Sequence, residues 1–487
     1  MCTPPSPRCH RSTCSPHSSP RAQGKPAAAA SAALLVISIL IVFHCPPPRS
    51  RTKSAPPPRA TVIHSACLRR RPALSEHPHP RPLHFCLVTT FYPPYSFGGD
   101  AVFVQRLARE LCARGHRVDV VHSVDAFHSL GGNLTAPPPA PEPGLRLHSL
   151  TSGFDLLGPL AVQQTGSPAF LSGRLRQLLN QPFDVIHFHN VSLIGGPDIL
   201  TYGNAVKLYT PHEYWLVCPT HVLFRNRREP CTQPTCLSCV LHHRRPPQLW
   251  RHTGKLAAAA RHIDAFLALS QFSIDTHRRM GFDGPFHLLP PFIPEAPPAE
   301  PAPAASHPPY FLYVGRLEYL KGVHTLFPHF HDRLDAELWI AGAGSQEAEL
   351  RRAAAGNPRI RFLGFVSEPR LSSLYRHARA VIMPSLCFEV FPLVLLEAFR
   401  QRVPVIVRRL GGLAEVAAGS AAALTYDDAP QLDTALRRIL DDPPLRDQLG
   451  ARGYAAFLQS WTPQVHLNRY LALIETIRAT KSSKAPN

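Results

Sequence analysis

The chain has 487 residues, which is enough for two or three domains with large apolar cores. Its formal net charge is +19, but residues 1–80 hold eleven Lys and Arg and only one acid, so the rest of the chain is only mildly basic. The remaining body has no basic motif with interleaved aromatic residues, which argues against a nucleic-acid partner. A mild positive excess instead suits a diphosphate substrate or an anionic membrane surface.

A Pro- and Arg-rich tail, residues 1–82, precedes the part of the chain that is predicted to fold. Residues 27–45 are an uncharged apolar run between Pro26 and Pro46, just long enough to span a bilayer. The heavier positive flank follows the run, which predicts a cytoplasmic body anchored at the cytoplasmic face of the membrane. The run is too long for a signal peptide and lacks a small-residue cleavage site. A tail that is absent from the functional protein is the other alternative.

Residues 83–294 alternate between short apolar strands and helical segments, which favours a parallel sheet covered on both faces. The first crossover runs from a strand at 84–90 through Gly98-Gly99 to a helix at 101–114. The two glycines let a ligand approach the backbone, and Asp100 can cap the helix, although an ordinary turn explains Gly-Gly equally well. Further strands are predicted at 117–122, 184–189, 206–210 and 265–270.

A Pro- and Ala-rich linker at 295–309 separates this domain from a second one at 310–461, and a C-terminal helix and tail follow at 462–487. Within the second domain the strand–helix pattern restarts. Its strands are predicted at 310–314, 337–341, 360–363, 381–383 and 405–407, and the last helices at 431–452 and 462–480. The fold class is therefore α/β, with two Rossmann-like, doubly wound parallel-sheet domains.

The stretch 385–407 carries the most specific chemistry. It predicts an acidic loop that contains Glu389, then a helix at 393–400 that contains Glu397, and then a strand. Pro392 suits the first turn of this helix. The free N–H groups at the start of that helix favour a phosphate. Each carboxylate can accept hydrogen bonds from adjacent hydroxyl groups. Together they outline a sugar nucleotide, whereas the alternative is one acid in a salt bridge and one on the surface.

Cations and glycines follow several strands of the second domain. Gly315 and Arg316 directly follow one strand, and Lys321 comes five residues later. Arg and Lys at one strand end suit a departing diphosphate, although a solvated basic loop is the alternative. Further glycines at strand ends are Gly342, Gly344, Gly411 and Gly412. Because ligands of open α/β sheets bind beyond the carboxyl ends of strands, these groups are expected to converge.

With these motifs the chain resembles the group 1 glycosyltransferases, that is glycosyltransferase family 4, over about residues 84–480. The motifs are Gly98-Gly99, T-P-H-E at 210–213, V-G-R-L-E-Y-L-K-G at 314–322, G-A-G at 342–344 and the Glu-x7-Glu pair at 389 and 397. The resemblance implies the GT-B fold, in which two such domains face each other across a cleft, with acceptor on the N-terminal side and donor on the C-terminal side.

The resemblance also implies roles for individual residues. Glu397 would hold the nucleotide ribose, Glu389 the donor-sugar hydroxyls, and Arg316 and Lys321 the diphosphate. The implied catalytic residues are His212, Arg316, Lys321 and Glu389. The implied donor-binding residues are Gly98, Gly99, Gly315, Gly342, Gly344, Val390, Phe391, Pro392, Leu393 and Glu397. The chain departs from the family where Val390-Phe391-Pro392 replaces Gly-Phe-Gly and where Glu213 replaces the Asp that commonly follows the histidine.

The implied reaction is transfer of a hexose from a nucleoside-diphosphate sugar to an acceptor hydroxyl, with retention, in glycan, polysaccharide or glycolipid biosynthesis. The acceptor would be a glycan, a lipid-linked sugar or a small molecule. No D-x-D motif flanked by strands occurs, so no cofactor is expected for catalysis. The alternatives are a nucleotide-sugar epimerase, a phosphorylase, a non-catalytic sugar-nucleotide binding protein and a structural scaffold.

Four cysteines cluster in one loop-rich stretch that follows His212. They are Cys218, Cys231, Cys236 and Cys239. Four thiolates suffice for a tetrahedral zinc site, and C-x2-C is a common half-site, so a structural zinc is predicted. Two disulfides, an iron–sulfur cluster or four unlinked thiols are the alternatives.

Overall fold

The computed structural model describes residues 81–134, 142–294, 308–331 and 334–484. The candidate membrane segment at 27–45 and nearly all of the linker at 295–309 lie outside the described residues. Within those ranges, every helix is too short or too polar to cross a membrane.

The first domain is built on a seven-stranded sheet in the order β3-β2-β1-β4-β5-β8-β9, with all pairs parallel. A short antiparallel hairpin, β6–β7, lies outside that sheet. The strands are β1 His84–Val88, β2 Arg117–Ser123, β3 Leu145–Leu150, β4 Val185–Phe188, β5 Val206–Tyr209, β6 Phe224–Arg225, β7 Glu229–Pro230, β8 Ala265–Ala268 and β9 Phe286–Leu288. The helices are α1 Gly99–Ala113, α2 Val124–Ser129, α3 Leu157–Thr165, α4 Ser172–Leu179, α5 Cys236–His242, α6 Lys255–Ala260 and α7 Gln271–Arg279.

The second domain has a six-stranded parallel sheet in the order β12-β11-β10-β13-β14-β15. The strands are β10 Tyr310–Val314, β11 Glu337–Ala341, β12 Ile360–Gly364, β13 Val381–Met383, β14 Val405–Arg408 and β15 Ala423–Tyr426. The helices are α8 Glu347–Ala353, α9 Glu368–His377, α10 Leu393–Arg400, α11 Gly411–Ser420, α12 Ala429–Asp441, α13 Pro443–Ser460 and α14 Pro463–Lys484. The prediction of two doubly wound parallel-sheet domains is confirmed.

Both sheets are buried on both faces, which explains their continuous apolar strands. Successive side chains of a strand point to opposite faces, so each strand contributes to two cores. In β1, Phe85 and Leu87 enter one core of the first domain, whereas Cys86 and Val88 enter the other. The strands of the second domain divide their side chains between two cores in the same way.

The C-terminal helix α14 packs against the first domain although it follows the second in sequence. Its Leu467, Tyr470 and Ile474 are fully buried in the core that contains Phe85 and Leu87 of β1. The chain therefore crosses back over the domain boundary, and α14 ties the first-domain sheet to the end of the second domain.

The domains also meet beside the cleft, at the start of α7. The hydroxyl of Ser270 donates a hydrogen bond to the carbonyl oxygen of Val390 at 2.7 Å. The carboxylate of Glu415 accepts from the backbone N–H groups of Gln271 at 2.8 Å and Phe272 at 2.6 Å. An acid from the second domain thus caps a first-domain helix, where the helix dipole favours negative charge.

Most strands match the predicted positions to within two residues, and α10 matches its predicted range. The single helix predicted at 431–452 is wrong, because the structure divides this stretch into α12 and α13. Asp442 interrupts it: its side chain accepts from the backbone N–H of Leu445 and begins α13, and Pro443 follows it. The edge strands β3, β9 and β15 were not predicted. Exposed side chains interrupt the apolar pattern in β3 and β9, and β15 is a four-residue strand that contains a threonine.

Candidate active site

The candidate site lies between the carboxyl ends of the two sheets. In both sheets the strand order reverses beside the first strand, β1 or β10, and such switch points form the ligand crevice of open α/β sheets. A Cβ atom added at Gly99 would lie 3.3 Å from Cδ1 of Leu393. The first crossover of the N-terminal domain therefore comes close to the start of α10, across the cleft.

The central contact on the second-domain side is an ion pair between Lys321 and Glu389. Lys321 Nζ lies 2.7 Å from Glu389 Oε1, and the Ser385 hydroxyl donates to the same oxygen at 2.7 Å. Only 26% of the Lys321 side chain and 14% of the Glu389 side chain are exposed. Burial raises the pKa of Glu389, but the charge of Lys321, the two hydrogen bonds and the charge of Arg316 outweigh it and hold the pKa below its ordinary value.

Close backbone contacts explain two of the glycines that sequence analysis assigned to donor binding. Gly342 has a φ of 141°, and a Cβ there would lie 1.9 Å from the carbonyl oxygen of Gly315. A Cβ at Gly344 would lie 2.4 Å from the carbonyl oxygen of Leu317. Both glycines hold the loop after β11 against the loop after β10, and so position Gly315 and Arg316 at the switch point.

Helix α10 presents Glu397 from an otherwise apolar sequence. Leu396 and Ala398 on either side are fully buried, whereas Glu397 is half-buried. The Tyr375 hydroxyl donates to Glu397 Oε2 at 2.7 Å, which fixes the carboxylate. An ionised carboxylate offers about four acceptor positions, so Glu397 can accept further hydrogen bonds from a diol.

On the opposite side of the cleft, half-buried His212 belongs to a column of histidines with the buried His189 and His187. Its Nε2 lies 3.0 Å from Nδ1 of His189, and the ring centroid of His189 lies 4.0 Å from that of His187. His187 in turn contacts the hydroxyls of Thr210 at 2.8 Å and Tyr470 at 2.9 Å. Burial lowers the pKa of His212 to about 4 and that of the other two histidines well below the ordinary value.

The pairing of His189 with His212 requires one N–H and one lone pair. His189 Nε2 is buried and has no hydrogen-bond partner among the described residues. An unpaired lone pair costs less than an unpaired N–H, so the favoured tautomer has Nδ1–H of His189 donating to His212. His212 is then neutral and carries its own proton on Nδ1, as a hydrogen-bond donor.

Asp100 is a further candidate residue. Sequence analysis interpreted it as the cap of α1, which is wrong, because Gly98 is the N-cap and no side chain caps the helix. Asn190 Nδ2 lies 3.5 Å from Oδ2 of Asp100. Burial and the charge of Glu213 raise the pKa of Asp100, whereas the charge of Arg316 from the other domain lowers it. Charged groups of both domains therefore act on one another in the cleft. The sequence signal that could have indicated Asp100 as a cleft residue is its position directly after Gly98-Gly99.

Two family models match the chain in succession. Residues 97–296 match Glycosyltransferase Family 4, and residues 299–456 match the model described as Glycosyl transferases group 1. The chain belongs to the group 1 glycosyltransferases. The two matched ranges correspond to the two sheet domains on either side of the cleft.

Relatives of this glycosyltransferase come from archaea and bacteria. An uncharacterised glycosyltransferase of Methanocaldococcus jannaschii is 25% identical over 362 residues, which cover 69% of this chain and 82% of the relative. Glycogen synthase of Mycobacterium tuberculosis is 27% identical over 389 residues, 74% of this chain and 87% of the relative. Both similarities extend over both domains of the glycosyltransferase.

Solved structures show the same fold. Sucrose-phosphate synthase from Thermosynechococcus elongatus superposes with a TM-score of 0.64 at 21% identity, covering 82% of this chain and 100% of that structure. An Anabaena protein solved in complex with UDP-glucose gives a TM-score of 0.54 at 14% identity, covering 82% and 100%. The prediction of a GT-B fold for the glycosyltransferase is confirmed.

The cysteine-rich loop of the glycosyltransferase follows His212 and contains the hairpin β6–β7 and helix α5. All four cysteines are free thiols. Burial, with smaller effects from the neighbouring cysteines, raises the pKa of Cys231 to about 11 and also raises the pKa of Cys236 and Cys239. In the described part of the chain, no three His, Cys, Asp or Glu side chains are placed to hold a metal ion. The zinc site therefore stays a prediction.

Of the predicted residues, the structure brings Lys321 into contact with Glu389, and Gly99 close to Leu393. Arg316 is exposed at the end of β10 and acts on the second-domain pair through its charge. The roles of these residues stay predictions. Sequence analysis missed His189, which was treated only as the end of a strand; its signal was the H-x-H pattern in DVIHFH.

The ion pair between Lys321 and Glu389 can be tested by measuring the stability of variants. Lys321→Met leaves the Glu389 carboxylate buried without its cation, and the expected loss in the free energy of unfolding is about 3 kcal/mol. Adding Glu389→Gln to the Lys321→Met protein should restore most of the lost free energy of unfolding, because no unpaired buried charge then remains. Denaturant unfolding of the three proteins at neutral pH measures both effects, and an unchanged Lys321→Met protein would contradict the pairing.

The pair also predicts the pH dependence of stability. Because the pKa of folded Glu389 is depressed, its contribution is present above the pKa of an unfolded glutamate, about 4.3, and is lost as the pH falls through the folded value. In the double variant this contribution should be missing, so stability should fall less on acidification than in wild type.

His189 provides a test of the histidine column. His189→Leu removes the partner of His212, and a lost hydrogen bond of about 1 kcal/mol predicts a roughly fivefold lower kcat with donor affinity unchanged. His189→Asn keeps an amide near the position of Nδ1 and should recover activity. Equal losses in both variants would indicate a packing role for His189 rather than alignment of His212.

Proposed function

We propose that this glycosyltransferase moves a hexose from a nucleoside-diphosphate sugar to an acceptor hydroxyl with retention of configuration. The observation that carries the proposal is the arrangement at the second-domain switch point. There, Arg316 and Lys321 supply positive charge beside Glu389, and α10 presents its N-terminus and Glu397. The fold shared with an Anabaena protein that binds UDP-glucose supports a nucleotide-sugar donor.

In this proposal the donor diphosphate lies at Arg316, Lys321 and the first turn of α10. Negative charge grows on the leaving phosphate as the glycosidic bond breaks, so cations and N–H groups at this place stabilise the transition state more than the ground state. Glu389 shares the charge of Lys321 and accepts from donor-sugar hydroxyls. The ion pair keeps Glu389 ionised, and an ionised carboxylate is purely an acceptor.

On the acceptor side, neutral His212 donates its Nδ1 proton to a sugar hydroxyl. With a pKa of about 4, His212 is uncharged at neutral pH and adds no positive charge near the oxocarbenium-like sugar. No nucleophile is required if the departing phosphate takes the proton of the acceptor hydroxyl, and the new bond then forms on the face that the phosphate leaves. The acceptor belongs to glycan, polysaccharide or glycolipid assembly, and a nucleotide-sugar donor favours a cytoplasmic location.

The direct test is incubation of the purified chain with a panel of radiolabelled nucleoside-diphosphate sugars, with and without candidate acceptors. Hydrolysis or transfer from one donor identifies it, and proton NMR of the product gives the anomeric configuration. An axial donor linkage that becomes equatorial in the product would overturn retention. Absence of both donor binding and turnover across the panel would overturn the proposed donor class.

Glu397 provides the sharpest variant for this proposal. Glu397→Gln removes the charged acceptor of the ribose hydroxyls, so affinity for the nucleoside diphosphate should fall by about 2 kcal/mol, roughly thirtyfold. The matched control is Glu347→Gln, which changes an acid on α8 that is ion-paired with Arg351. Calorimetry with the free nucleoside diphosphate measures both. Equal affinities for the two variants would remove Glu397 from the donor site.

We also propose that the cysteine-rich loop takes up one structural zinc ion. Cys218, Cys231, Cys236 and Cys239 lie in one loop, and metal binding would draw the four sulfurs together with release of their protons. Metal analysis of protein purified without chelator should find one zinc per chain. Absence of zinc, together with four freely titratable thiols in the native protein, would overturn this proposal.

A further inference from the structure

A cavity separate from the cleft lies in the first domain, beside the cysteine-rich loop. Its volume is about 270 Å³, close to the lower end of the range for small-molecule sites, about 300–1,000 Å³. Its walls are mostly apolar and include Leu216, Val217, Leu237, Val240, Leu256 and Phe282. A cavity with such walls suits an alkyl or isoprenoid chain, because polar ligands would lose hydrogen bonds to water there.

One cation, Arg251, lines this apolar cavity. Its Nε donates to Gln248 Oε1 at 2.6 Å and its Nη1 to the carbonyl oxygen of Trp215 at 2.9 Å. The guanidinium carbon lies 4.7 Å from the ring centroid of Trp250. Nη2 has no hydrogen-bond acceptor, and no carboxylate forms an ion pair with Arg251 within the described residues. Neutral partners therefore hold a cation that an anionic group could pair with.

Exposed leucines lie at, or next in sequence to, residues that line the cavity. Leu237 and Leu241 lie one helical turn apart on α5, and each is 58% exposed, whereas Leu249 is 70% exposed. The stretch 225–261 contains eight Lys and Arg residues and one acid, Glu229. Exposed apolar groups within a positively charged surface are typical of sites that contact anionic lipids.

The cavity adjoins the acceptor side of the cleft through one short segment. The residues after β5 carry His212 and Glu213, and three positions later Leu216 and Val217 form the cavity wall. The hydrogen bond from Arg251 to the Trp215 carbonyl holds this segment from the cavity side. A ligand in the cavity would therefore contact the same segment that carries His212.

We propose that the cavity binds the hydrocarbon chain of a lipid phosphate, with the phosphate paired to Arg251. This proposal rests on the proposed sugar transfer and specifies its acceptor as lipid-linked. The chain would lie between α5 and α6, the exposed leucines would contact the surrounding lipid, and the acceptor headgroup would be held beside the segment that carries His212.

Helix α6 offers a matched pair of variants for the test. Ala257 and Ala258 are both exposed, but only Ala257 lines the cavity. Ala257→Trp should fill the cavity, whereas Ala258→Trp adds the same side chain beside it. Calorimetry of the full chain with decyl phosphate should show one site in wild type and Ala258→Trp, and at least tenfold weaker binding in Ala257→Trp. Equal binding by the two variants would overturn the proposal.

Two further ligands separate the contribution of the hydrocarbon chain to binding from that of the phosphate charge. Inorganic phosphate should not displace decyl phosphate if the apolar walls contribute to binding, and decyltrimethylammonium should bind at least tenfold more weakly if Arg251 selects an anion. Displacement by inorganic phosphate, or equal binding of the cationic amphiphile, would each overturn the assignment of a lipid phosphate.

A second pair of variants, on α5, tests the same site in case a tryptophan on α6 disturbs the folding of that helix. Leu237 lines the cavity and its neighbour Ser238 does not, and both are exposed. Leu237→Asp should weaken binding of decyl phosphate at least tenfold, whereas Ser238→Asp, which adds the same charge, should not. Equal effects of the two variants would indicate a general charge effect and overturn the cavity as the site.

Donor hydrolysis distinguishes failure of this proposal from failure of the proposed function. Ala257→Trp should hydrolyse the nucleoside-diphosphate sugar as fast as wild type, because the cavity lies outside the donor site. Wild type that binds decyl phosphate but no nucleotide sugar would overturn the proposed function and leave the lipid site standing. Wild type that hydrolyses donor but does not bind decyl phosphate would overturn only the lipid site.

Discussion

The ion pair between Lys321 and Glu389 joins the loops that follow β10 and β13, and the second-domain side of the cleft depends on it. Neither charge could remain in this partly buried place alone without a large desolvation cost. Gly322 allows the loops to approach, since a Cβ there would lie 2.2 Å from the carbonyl oxygen of Pro384. The position of each loop therefore determines the position of the other, and with it the charge that a donor would meet.

The contact between the domains extends this constraint across the cleft. Glu415 caps α7 of the first domain. The hydroxyl of Ser270 donates a hydrogen bond to the carbonyl oxygen of Val390, the residue that follows Glu389. The acidic loop is thus held from both domains at once. The charge of Arg316 in the second domain lowers the pKa of Asp100 in the first domain, so the two sides of the cleft are electrostatically coupled.

The segment after β5 connects two features that lie on opposite sides of it. On the cleft side, His212 is aligned by His189 and kept neutral by burial. On the other side, the same segment forms the wall of the apolar cavity, and Arg251 bonds its backbone at Trp215. An acceptor with both a hydroxyl and a hydrocarbon chain is the class of molecule that could use both sides together.

The sequence by itself determined the two α/β domains, the range of α10 and the spacing of Glu389 and Glu397, because strand and helix periodicity are properties of neighbouring residues. It also carried the motifs of the family. Only the tertiary structure decided that Lys321 pairs with Glu389, 68 residues away, and that His189 contacts His212. It alone placed α14 on the first domain and opened a cavity behind the His212 segment. These contacts depend on how distant segments pack, and no local pattern encodes which buried polar groups will meet.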